Sequence, residues 1–190
     1  KAKNEIDSKI ISLIKKKGYP PLSELWRRKI GKEGIVSKDF RINKKEGNPL
    51  IHKNGKMKIL VDSELLQRTK SHDIEKYRNY SSHSTSNYLT GYGKMGIASP
   101  GTYISLSYIY FPHDTQEEAI NCLDYLMIPQ IRYLKNLNHF NINFTKPCFK
   151  YVPLVDFKRK WTEKSFQEEF NIPDEYMIYM AEQIKKIENS

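Results

Sequence analysis

The chain has 190 residues with 32 Lys/Arg against 22 Asp/Glu, a formal net charge of +10, and is 38% hydrophobic and 12% aromatic. That length fits one domain, or one domain with an appended helical piece, and the apolar content excludes global disorder. No apolar run approaches the roughly 20 residues that span a bilayer, no signal peptide is evident, and the start at Lys1 rather than Met fits an excised or processed chain.

In chain order, Ile6, Ile10, Leu13 and Ile14 predict a helix over residues 2–17 that Gly18 stops. Lys15, Lys16 and Lys17 fall in its last turn, where cations complement the helix dipole. Pro20 and Pro21 break the chain, and residues 21–30 read as a short second helix with Trp26 on its core side. Residues 31–58 are rich in Gly, Lys and Asn. Within them Asn54-Gly55 is a hairpin signal with strands on either side, the second over 57–61. Residues 62–68 read as a turn or short helix.

The basic excess is segregated. Residues 1–70 hold 19 Lys/Arg against 8 Asp/Glu, a surplus of +11, whereas residues 71–190 hold 13 against 14. A concentrated positive field attracts polyanions, and each phosphate neutralised releases counterions. A basic hairpin can straddle a DNA backbone, or its lysines can guard a sheet edge against unwanted pairing. Further on, Ser81-Ser-His-Ser-Thr-Ser-Asn87 is flanked by Tyr77, Tyr80, Tyr88 and Tyr92. It reads either as a surface loop or as a polar reader of base edges, since both draw on the same small donors and acceptors.

Gly91-Tyr-Gly-Lys-Met-Gly96 matches the dinucleotide pattern G-x-G-x-x-G, but a strand follows it where that motif needs a helix. It reads as a glycine-rich turn. Alternating small polar and apolar residues predict one strand over 102–111, ended by Pro112. Asp114 or Thr115 then caps a helix that carries Ala119, Ile120, Leu123 and Leu126, broken at Pro129 and resumed with Ile131, Leu134 and Leu137. Cys122 lies on its apolar face, which suits a reduced, cytoplasmic protein. In the tail Thr162 caps a helix with Phe166 and Phe170. Pro173 opens a last one with a stripe of Met177, Ile178, Ala181, Ile184 and Ile187.

The five histidines are scattered without metal-ligand spacing, and Asp156-Phe-Lys158 is too short a piece of a nuclease pattern to stand alone. There is no N-P-P-F/Y or D-P-P-Y motif. Gly18-Tyr-Pro-Pro-Leu22 lacks the Asn or Asp that accepts from an adenine amine.

Glu117-Glu-Ala119, Arg132-Tyr-Leu134, Phe149, Val152-Pro153, Asp156-Phe157 and Trp161-Thr162 stand at fixed spacings. Together they resemble the C-terminal region of type II restriction-modification adenine methylases, the EcoRI-methylase-like group, over roughly residues 60–188. Met127-Ile-Pro-Gln-Ile131 and Glu163-Lys164 depart from that pattern. The resemblance implies a target-recognition piece that holds duplex DNA. A separate N-terminal catalytic domain, missing here, would bind S-adenosylmethionine and methylate adenine N6, so no cofactor is expected in this piece. On that reading Arg41, Lys44, Lys45, Lys53, Lys56 and Lys58 are candidate phosphate contacts. Arg78, His83, Ser84, Asn87 and Lys94 are candidate base-edge readers. The expected fold is α+β, a mixed or antiparallel sheet packed with several helices. Its parts are an N-terminal helical segment (1–30), a recognition core (31–162) and a helical tail (163–190). A metal-dependent nuclease domain and a non-catalytic assembly module are the rival classes.

Overall fold

A computed structural model describes residues 4–29, 48–51, 57–60 (the side chains of 58–60 excepted), 73–84, 91–139 and 142–189. The architecture is α+β, with two small sheets and several helices. Among the described residues no helix is long and apolar enough to cross a membrane.

Helix α1 (Glu5–Lys16) starts where the Asn4 side chain accepts from the Asp7 amide and stops at Gly18, whose φ of +74° suits glycine. Its buried side is Ile10 and Ile14, joined by Asp7, which the apolar spacing did not announce. The expected second helix is only a 3-10 turn, Leu22–Glu24. Two proline-bearing segments pair there instead: the Leu22 amide donates to Val152 O at 2.7 Å, and the Leu154 amide to Pro20 O at 2.8 Å. A prolyl ring supplies no N–H, so Pro21 and Pro153 sit opposite each other without leaving a donor unmatched.

Strands β1 (Asn48–Ile51) and β2 (Met57–Leu60) are antiparallel in the register Ile51↔Met57, on either side of Asn54-Gly55 as the hairpin signal predicts. The turn between them, and the segment 61–72 beyond, lie outside the described residues. Strands β3 (Tyr77–Ser82) and β4 (Met95–Ala98) belong to a second sheet.

The expected strand over 102–111 is two strands in two sheets. Strand β5 (Tyr103–Ile104) runs parallel to β1, giving the order β2-β1-β5. After Ser105 donates to Ile51 O the chain turns, Tyr108 donating back to Ser105 O. It then enters β6 (Tyr108–His113), which pairs with β3 in the order β4-β3-β6. Small polar residues continue the period-2 alternation through the turn, so periodicity alone hides the break. Pro112 does not end the ladder; it lies opposite Arg78 within it. It has the parity of Tyr110, whose amide points away from β3 to Arg27 O at 2.9 Å. The missing N–H of Pro112 therefore falls on the side away from β3.

Thr115 and Glu118 form a reciprocal cap on α2 (Gln116–Met127), which packs across β3 and β6. Pro129 restarts the chain as α3 (Pro129–Asn136), because Ile128, preceding a proline, is held extended. Segment 149–162 straps over α2. Tyr125 donates to Pro153 O at 3.0 Å, Asn121 to Phe157 O at 2.9 Å, and Trp161 Nε1 to Asp156 O at 2.8 Å. The Tyr125 ring meets Phe157, Trp161 and Phe166. Thr162 caps α4 (Glu163–Phe170), which buries Phe166 and Phe170. The final helix α5 (Asp174–Glu188) packs on α3. Its buried residues are Met177, Met180 and Ile184, while Ile178 is exposed, a correction to the expected stripe.

Candidate nucleic-acid interface

Arg41, Lys44, Lys45, Lys53, Lys56 and Asn87 lie outside the described residues. Lys58 stands opposite Leu50 in β2, its side chain also outside the description. The remaining four candidates separate sharply.

Arg78 is not a reader. Its side chain is 0% exposed, donating from Nη2 to Thr102 O at 2.6 Å and Ser99 O at 3.0 Å, and from Nε to Lys76 O at 3.1 Å. The guanidinium collects the carbonyls of two chain reversals beside β3, a task for which its fixed fork of donors is suited. In sequence it resembles any surface arginine next to tyrosines. Ser81, expected in the polar loop, is likewise buried within β3.

The backbones of His83, Ser84 and Lys94 do come together, at the end of β3. Ser82 donates to Lys94 O at 2.9 Å, His83 donates to Ser107 O at 2.8 Å, and Phe144 donates to His83 O at 2.6 Å. These bonds fix the His83 backbone on both sides. Ser84 bridges to Asn143 and is exposed, as is Lys94. The same rim carries Arg28, whose Nε donates to Leu106 O at 3.2 Å. Burial, and then Arg28, push the His83 imidazole down to about 4. Burial also lowers the Arg28 guanidinium, which stays protonated at neutral pH.

Near pH 7 this rim thus offers two cations, a hydroxyl and a neutral imidazole with one donor and one acceptor. Phosphate oxygens and base edges take that mixture of groups. Arg28 was missed because residues 21–30 looked helical. The signal available was the cationic run Arg27-Arg28-Lys29 after two prolines, a place for an extended chain.

The G-x-G-x-x-G stretch ends in β4, as its strand context requires. Gly93 and Gly96 are there for close approach: a Cβ on Gly93 would lie 2.5 Å from Ser82 Cβ, and one on Gly96 2.5 Å from Tyr80 Oη. Tyr92, just before Gly93, stacks on Phe144 and Phe149, so this turn is a piece of the core. Asp156 Oδ1 accepts the Lys158 amide at 2.9 Å, closing a turn in the strap. Among the described residues no three His, Cys, Asp or Glu side chains gather as a metal site, and both Cys122 and Cys148 are free and buried.

Comparison with known protein families finds no match, and comparison with curated proteins finds none either.

Proposed function

We propose that this chain is the DNA-binding, target-recognition part of a restriction-modification adenine methyltransferase. It holds duplex DNA for methyl transfer by a separate catalytic domain that carries S-adenosylmethionine. The observation that supports DNA contact is the rim at the end of β3, where Arg28 lies near a neutral His83 and the exposed Ser84 and Lys94 stand on neighbouring backbone. The +11 surplus of residues 1–70 supplies a field that draws a polyanion toward the molecule. The adenine and methyl-transfer parts of the reading rest on the spaced motif from Glu117 to Thr162.

Fluorescence anisotropy with a labelled mixed-sequence duplex, across a salt series and without metal, tests the reading. The affinity is expected to fall steeply with salt. Lys94→Gln should reduce the slope of log K against log[salt] by about 1 while leaving the melting temperature unchanged. Absence of binding at low salt overturns autonomous DNA recognition.

A further inference from the structure

A pocket of about 220 Å³ lies between the C-terminal half of α1 and segment 150–153, sharing no residue with the rim at β3. Ile11, Ile14, Pro21 and Val152 form apolar parts of its wall, with Tyr19 and Tyr151 beside them. Three carbonyls of the wall are already used. Val152 O accepts from Leu22, Pro21 O from Glu24 and Pro153 O from Tyr125, while neither proline has an N–H to offer. The Tyr19 hydroxyl is engaged too, donating to Glu169 Oε1 at 3.1 Å, and Glu169 is itself paired with Arg159 at 3.0 Å. The remaining charges of the pocket lining are the exposed Lys15 and Lys150, and Lys16 and Lys17 follow on the same helix end.

This chemistry narrows the occupant. A nucleobase brings several donors and acceptors, and each one buried against this wall without a partner would weaken binding. The volume is below the roughly 300 Å³ at which small-molecule and cofactor sites begin, yet ample for one large side chain. An apolar floor edged by ammonium groups complements an apolar anchor edged by carboxylates. We propose that this pocket docks an extended acidic segment of a partner protein, seating one aromatic or branched aliphatic side chain among Ile11, Ile14, Pro21 and Val152, with flanking carboxylates on Lys15 and Lys150.

The test is a two-dimensional amide NMR titration of the full chain with the synthetic peptide Glu-Asp-Glu-Phe-Glu-Asp-Glu. Saturable shifts at the amides of Ile11, Ile14, Tyr151 and Val152 are expected. Affinity should drop at least tenfold with the double substitution Lys15→Gln/Lys150→Gln, and with a peptide carrying Ala in place of Phe. Both lysines are exposed, so the double variant should keep the wild-type amide spectrum elsewhere. Three results overturn the proposal: shifts absent or confined to other residues, undiminished binding by the lysine variant, or tighter binding at the same amides by a single-stranded oligonucleotide. The titration contains no duplex DNA, so failure here and failure of DNA recognition are separate outcomes.

Discussion

Lys135 reaches through the core and donates from Nζ to Gly91 O at 2.8 Å, with its ammonium 4.8 Å from the Tyr92 ring centre and 4.9 Å from that of Phe144. This contact ties α3 to the glycine-rich turn that leads into β4. Burial disfavours the charged form and pushes the amine down to about 7 from its ordinary 10.5. Between those two values the unfolded chain binds a proton that the folded chain does not, so this residue makes stability rise with pH across the window. Below pH 7 both states are protonated and the penalty is complete. Wild type should therefore gain on Lys135→Met by up to about 1 kcal/mol per pH unit between pH 7 and 10. Urea unfolding followed by fluorescence of the two tryptophans at pH 7 and 9 measures the difference. Parallel curves for the two proteins would contradict it.

Arg78 holds the Ser99 and Thr102 carbonyls together from beneath β3. Arg78→Lys presents one ammonium where a fork met several acceptors, and should destabilise by about 2–4 kcal/mol. Below the melting transition its DNA affinity and salt slope should match wild type. A selective loss of DNA binding with unchanged stability would return Arg78 to the role of a reader.

His113 Nε2 lies 2.6 Å from Asn79 Oδ1, buried between β3 and the strap, with Phe157 edge-on to its ring. Burial outweighs the nearby Glu118 and Asp114 carboxylates and pushes the imidazole down to about 4 from 6.5. A folded-state value below the unfolded one means the unfolded chain takes up the proton first on acidification. Stability from this group is thus complete above pH 6.5 and falls toward pH 4, by up to about 1 kcal/mol per pH unit. Thermal melts from pH 7 to 4 should show this fall, and His113→Gln should make it shallower. An unchanged slope in the variant would assign the acid sensitivity elsewhere.

Gly96 faces Tyr80 so closely that an added Cβ would sit 2.7 Å from Cζ as well as 2.5 Å from Oη. The ring cannot retreat freely, being 8% exposed and packed edge-on against Tyr108 at 5.1 Å. Gly96→Ala should therefore destabilise by about 1–3 kcal/mol. Tyr80→Leu in the same background should recover part of the loss, a coupling that a double-mutant cycle reads directly. Additive effects would mean the contact is not the cause.

Helix starts and stops were legible because they depend on neighbours within four residues. Asn4, which the sequence reading placed inside α1, caps it, whereas Gly18, Thr115 with Glu118, Pro129 and Thr162 act where local rules put them. The β1–β2 pairing followed from Asn54-Gly55 for the same reason. Side-chain burial was less legible. Arg78, Lys135 and Asp7 are polar residues that earn burial only through partners far away in sequence, and no period reveals a carbonyl at Thr102, a carbonyl at Gly91 or a hydroxyl on Tyr133.

The sequence by itself determined the α+β class, the order of the main helices with the caps at Thr115 and Thr162, the segregated positive charge and the spaced motif from Glu117 to Thr162. Only the tertiary structure decided that residues 103–113 divide between two sheets and that Arg78 serves the fold. It likewise decided that Arg28 joins His83, Ser84 and Lys94 at one rim. Local propensity and charge are properties of short windows of chain. Which cation faces solvent and which is enclosed depends on contacts closed across tens of residues, and those form only once the sheets and helices have packed.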